Sequence, residues 1–146
     1  MVAVSGLRDL QLAFPEAVEV VRMASGPPPR PLATAESCTG GLLGAAITAV
    51  PGSSLMYRGG VIAYSNLVKV AELGVDPGHL ERWGAVSSQV AEAMAAGVRA
   101  RLQAVFGIGI TGVAGPGSSE TKPAGLIYVA VAGPMRTVGA RLTIDQ

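Results

Sequence analysis

From Ala33 to Gly41 the chain reads Ala-Thr-Ala-Glu-Ser-Cys-Thr-Gly-Gly, and the largely apolar stretch Leu42 to Val50 follows directly. A short strand that runs through a glycine-softened turn into a helix is a building step of α/β domains. The turn also places hydroxyls where backbone N–H groups converge and the helix dipole is positive, which suits a serine nucleophile or an anion site. Ser37 is the residue that the rest of the sequence has to explain.

Along the chain, helical and extended patterns alternate. Pro15 to Met23 repeats Ala17, Val18 and Val21 at helical spacing and stops at Gly26-Pro27-Pro28-Pro29, after which Leu32 to Ala35 reads as a strand. The helix Leu42 to Val50 ends at Pro51-Gly52. Leu55 to Tyr64 is extended with a bulge or bend at Gly59-Gly60, and Asn66 to Leu73 is a short helix capped by Ser65 or Asn66 and closed by Gly74. Asp76 caps a further short helix, Pro77 to Trp83. Ser87 caps the longest one, where Val90, Met94, Val98 and Leu102 form a ridge beside the small residues Ala91, Ala95 and Ala96. Phe106 to Ile110, Leu126 to Ala132 and Thr137 to Leu142 are strands, the last two joined at Gly133-Pro134. The crossovers imply parallel strands and the tight turn an antiparallel pair, so the expected fold is a three-layer α/β/α sandwich with a mixed, mostly parallel sheet. With no repeat and no long linker, residues 1–146 read as a single domain.

Composition narrows the function. With 49% apolar but only 4% aromatic residues, the core must be built from Ala, Val, Leu and Ile. A net charge of +1, with the basic residues scattered and no stacking aromatics among them, argues against a nucleic-acid partner. The single cysteine, Cys38, excludes an internal disulfide and a cysteine metal cluster, and points to the cytosol. No run of eighteen apolar residues is present, and Met1 to Leu12 contains Arg8 and Asp9 where a signal peptide would be apolar. A soluble, non-exported protein without a membrane partner is expected.

Several motifs fail on context. Gly107, Gly109 and Gly112 match Gly-x-Gly-x-x-Gly, but the first two fall within an apolar strand and no acid lies about twenty residues on. No Walker-type lysine follows a glycine loop. His79, the sole histidine, stands beside Glu81 and Arg82 and reads as a solvated surface residue rather than a triad base. The carboxylates are dispersed, so no metal site is expected. An activated serine then needs another proton acceptor, for which a desolvated lysine is the usual substitute; Lys69 and Lys122 are the only lysines, and on composition alone Lys69 reads as a surface helix lysine. Lys69 follows the strand end at Tyr64, which could share its pocket. Thr111 to Pro123 carries three glycines and three hydroxyls before Glu120 and can turn N–H groups inward as an anion nest at a strand end.

Glu36-Ser-Cys-Thr-Gly-Gly41, Tyr64-Ser-Asn-x-x-Lys69, Gly84-Ala-Val-Ser87 and Thr111-Gly-Val-Ala-Gly-Pro-Gly117 with Lys122-Pro-Ala-Gly125 resemble, in order and spacing, the CinA C-terminal domain family of nicotinamide-nucleotide amidases. The likeness runs from about Ala33 to Ala132. It implies a three-layer α/β/α domain that hydrolyses nicotinamide mononucleotide to nicotinate mononucleotide and ammonia. Ser37 would be the nucleophile, Lys69 its base and Tyr64 a hydroxyl in the same site. N–H groups around Thr39, Gly40 and Gly41 would hold the oxyanion, with Thr111, Gly112 and Gly115 contacting ribose or phosphate. No metal or organic cofactor is required, and a homo-oligomer is compatible with the chain.

Two differences stand out. Ala104-Val105-Phe106 lacks the acid that relatives commonly carry there, and relatives usually continue into a Gly-Asp-Arg segment and a closing helix, whereas this chain stops at Gln146. If that arginine holds the phosphate, weak activity is expected, and the chain resembles a stand-alone amidase or a fragment. The competing expectation is a non-catalytic module that binds a nucleotide or a partner. Cys38 as nucleophile is a third, since thiols react readily at helix N-termini.

Overall fold

A computed structural model describes residues 6–116 and 121–145. Two helices, α1 (Leu7–Ala13) and α2 (Pro15–Ala24), precede β1 (Leu32–Glu36). There follow α3 (Leu42–Thr48), a single 3₁₀ turn, β2 (Tyr57–Ile62), α4 (Asn66–Leu73), α5 (Pro77–Trp83), α6 (Ser88–Arg101), β3 (Phe106–Gly112), β4 (Leu126–Ala132) and β5 (Thr137–Thr143). One five-stranded sheet has the order β2-β1-β3-β4-β5. β1 pairs in parallel with β2 and β3, while β3–β4 and β4–β5 are antiparallel. Four of the five strands thus run in one direction and β4 alone runs against them, the mixed, mostly parallel sheet that was expected. The chain leaves β3 through a long loop without a helix and returns directly along its neighbour, so no crossover forces a parallel pair there.

The two faces of β1 explain the layers. Side chains alternate across a strand, so Ala33 and Ala35 join Val90, Met94 and Val98 of α6 and Leu73 of α4 on one face. Leu32 packs on the other with Val21 of α2 and Ala46 and Ile47 of α3. All five residues of β1 are buried, as expected of a strand covered on both sides. The expected caps are in place: Ser65 accepts from the Val68 N–H, Asp76 from Gly78, and Ser87 from Val90. The bulge anticipated near Gly59-Gly60 is real, since Leu32 pairs with Tyr57 but Ala33 with Gly59, leaving Arg58 extra in β2.

The strand glycines that mimic a dinucleotide fingerprint are packing devices. A β-carbon on Gly107 would lie 2.1 Å from the Ala95 carbonyl oxygen, and one on Gly109 2.2 Å from that of Ala91. Their absence lets α6 lie almost on the sheet through Ala91 and Ala95, whereas Ala96 is exposed. Gly109→Ala drives a methyl into main-chain atoms that cannot swing aside. It is expected to cost about 3 kcal/mol, read as a lower urea midpoint at unchanged slope.

Two further expectations change. α1 was not foreseen, because it has no side-chain cap and buries no residue. His79 is half-buried rather than solvated, with its ring edge-on to Trp83 at a centroid distance of 5.0 Å. Among the described residues, no helix is long and apolar enough to cross a membrane.

Candidate active site

The carboxyl ends of β1, β2 and β3 point the same way, and at that edge α/β sheets place their ligands. Ser37 follows β1 directly; its N–H extends the pairing to the Ile110 carbonyl of β3 at 3.0 Å. Beyond β2 the chain passes through Ala63 and Tyr64, is capped at Ser65 and enters α4, which carries Lys69. The Lys69 side chain turns back over this bend. Its Nζ lies 3.0 Å from Ser37 Oγ, 2.8 Å from the Ala63 carbonyl and 3.1 Å from the Tyr64 carbonyl.

Lys69 is 1% exposed and Ser37 7%. A neutral amine has two hydrogens and one lone pair. With the hydrogens directed to the two carbonyls, the lone pair is left for the Ser37 hydroxyl proton, which is the arrangement a serine nucleophile needs from its base. An ammonium in the same place would instead donate to all three oxygens.

The pair opens into a polar cavity of about 270 Å³. Its wall includes Cys38, Tyr64, Asn66, Thr111, Gly112 and Gly115. Five of the nine residues singled out from the sequence (Ser37, Lys69, Thr111, Gly112, Gly115) therefore meet here as expected, and Tyr64 meets them differently. Its ring is 77% exposed at the rim, and its contact with Lys69 runs through the main-chain carbonyl rather than the hydroxyl. Thr111 is buried and donates its hydroxyl to the Ala85 carbonyl at 2.8 Å, tying β3 to the segment before α6. A β-carbon on Gly112 would stand 3.1 Å from Cys38 Sγ and narrow the cavity. Gly117, Ser118, Ser119 and Glu120 of the glycine loop lie outside the described residues.

Thr39, Gly40 and Gly41 are placed elsewhere. Glu36, 2% exposed, accepts from the Thr39 hydroxyl at 2.7 Å, the Leu43 N–H at 2.8 Å and the Gly44 N–H at 3.0 Å. The start of α3 is thus satisfied by a carboxylate of the protein itself, and the Gly40 N–H bonds to the Ser37 carbonyl at 3.1 Å. Those helix-start groups are spent, and Thr39 lines a different, apolar cavity with Leu42 and Ile108. The N–H groups of Cys38 and Thr39 act on the Cys38 sulfur. Glu36 is the contributor that sequence reasoning missed; its signal was an acid preceding the serine and seven residues before the first helical turn's free N–H.

Burial pushes the Cys38 thiol above its usual range, and the N–H groups of Cys38 and Thr39 offset this only in part. Cys38 therefore remains a thiol at neutral pH, the poorly nucleophilic form. Lys122, the other lysine, bonds to the carbonyls of Trp83 and Val86. It fastens the loop after β3 to the segment that walls the cavity. Among the described residues no group of three or more His, Cys, Asp or Glu side chains could hold a metal ion.

Comparison with known proteins follows the same lines. The family model described as CinA C-terminal domain matches residues 21–146. The chain is 61% identical over 104 residues to a CinA-like protein of Cyanothece sp., covering 70% of this chain and 25% of that one. It is 55% identical over 107 residues to a CinA-like protein of Frankia casuarinae, covering 73% and 25%. The chain thus spans about a quarter of the length of the curated relatives it matches. Among solved structures, the competence/damage inducible protein CihA from Agrobacterium tumefaciens superposes with a TM-score of 0.82 at 36% identity, over 89% of this chain and 82% of that one. A competence or damage-inducible protein from Enterobacter asburiae gives 0.84 at 33% identity, over 90% and 83%. With the family model matching most of its length and the same fold in solved relatives, this chain belongs to the CinA C-terminal domain family.

Proposed function

We propose that the chain carries a nicotinamide-nucleotide amidase site, which hydrolyses nicotinamide mononucleotide to nicotinate mononucleotide and ammonia. The observation that carries this reading is the buried 3.0 Å contact between Lys69 Nζ and Ser37 Oγ at the wall of a polar cavity. A buried lysine set on a serine hydroxyl is an arrangement for acyl transfer, and the family resemblance supplies the carboxamide as the acyl group. The names of the relatives speak of competence and damage, not of chemistry.

In the proposed sequence Lys69 takes the Ser37 proton as Oγ bonds to the carboxamide carbon. The oxygen that becomes negative is received by the N–H groups of Cys38 and Thr39, in place of the helix-start groups engaged by Glu36. Lys69 then returns the proton to the nitrogen, the C–N bond breaks and ammonia leaves. Water, deprotonated by the same amine, attacks the ester and frees Ser37 with the carboxylate product. Tyr64 holds the lysine through its carbonyl, while its ring forms part of the rim. Thr111, Gly112 and Gly115 line the side available to ribose or phosphate.

No step calls for a metal. Purified protein is expected to release ammonia from nicotinamide mononucleotide in the presence of a chelator, followed by coupled glutamate dehydrogenase assay. Saturable binding of the nucleotide without ammonia above background would replace this reading with that of a binding module.

A further inference from the structure

Asn66 lines the cavity from an exposed position, and the mechanism leaves its side chain unused. Asn66 is the first residue of α4, and Lys69 stands three positions later. Residues three apart share a helix face, with β-carbons about 5–6 Å apart. The turn that brings the Lys69 amine to Ser37 therefore also offers Asn66 to the same space, and all three line the cavity. The neighbouring polar groups are engaged: Ser65 caps the Val68 N–H, Thr111 gives its proton to Ala85, and Lys69 contacts Ser37 and two carbonyls. The Asn66 amide has no hydrogen bond among the described residues. It supplies one acceptor and two donors to the cavity.

That pattern is the complement of a second primary amide. We infer that Asn66 is a specificity-determining residue that reads the substrate carboxamide as against a carboxylate; the identity of the substrate rests on the amidase reading above. Asn66 Oδ1 accepts an N–H of the carboxamide, and Nδ2 donates to its oxygen, which presents the carbonyl carbon to Ser37. Once ammonia has left, the product has no N–H to give. Asn66 Oδ1 then faces a carboxylate oxygen, and the acid is held less tightly than the amide it came from.

The test measures binding rather than turnover, with calorimetry on the Ser37→Ala protein. In that background nicotinamide mononucleotide is expected to bind about tenfold tighter than nicotinate mononucleotide. Adding Asn66→Leu should bring the two affinities to within about threefold of each other, with an unchanged melting temperature. Asn66→Ala, a substitution well tolerated in a helix, should do the same and serves if the leucine variant does not fold. An unaltered preference in either folded variant, no preference in the parent, or binding of neither nucleotide overturns the inference. Failure of the wild-type protein to release ammonia would sink the amidase reading while this ratio is decided separately.

Discussion

Ser37→Ala is expected to lower kcat/KM for nicotinamide mononucleotide by roughly 10³-fold or more, with the circular dichroism spectrum unchanged. The Ser37 hydroxyl meets the Lys69 amine, and the residue keeps its place in the sheet through its N–H, which the substitution retains. Cys38→Ser is expected to keep most of the activity. Cys38 lines the same cavity, but burial holds it as a thiol, and the Lys69 amine lies 3.0 Å from Ser37 Oγ. Full activity in Ser37→Ala, or inactivation by iodoacetamide that Cys38→Ser abolishes, would transfer the nucleophile to the cysteine.

Lys69→Arg is expected to be nearly as damaging as Lys69→Met, each lowering kcat by about 10³-fold. A guanidinium keeps the charge and stays protonated at any pH the protein tolerates, so it cannot take the serine proton. The methionine variant separates chemistry from stability. It leaves the Ala63 and Tyr64 carbonyls without their amine donor, which costs about 1–3 kcal/mol for each buried acceptor left unpaired. A lower melting temperature should therefore accompany the lost turnover. A lysine acting only as a brace would give the opposite ordering, with Arg close to wild type and Met poor. Activity in Lys69→Arg within a few-fold of wild type would remove the lysine from the base role.

Much of this site can be read in the residue order because its parts are local. Glycine at 74, serine at 65 and 87 and aspartate at 76 set helix ends through their own backbone or side-chain bonds, and the structure keeps those ends. The strand–turn–helix step brought Ser37 forward on its own, and the resemblance of the Tyr64-Ser-Asn-x-x-Lys69 motif to the family brought Lys69 with it. Other features depend on what lies across space. α1 carries no cap or buried stripe, so nothing in its own residues marks it. Whether the chain leaving β3 crosses over or doubles back is decided by which sheet edge is open, and no local pattern in the glycine loop encodes that.

The sequence by itself determined the α/β class and the strand ends where Ser37, Tyr64 and Thr111 fall, because these follow from propensity and capping, while the family resemblance of its motifs put Ser37 and Lys69 forward as one site. Only the tertiary structure decided which donors and acceptors remain for a ligand. A carboxylate one residue from the serine proved to occupy the N–H groups of Leu43 and Gly44 at the start of α3, and the tyrosine reached the lysine through its backbone. The physical reason is that each polar group bonds to whatever partner folding brings within about 3 Å, and that distance is set by packing between elements far apart in the chain.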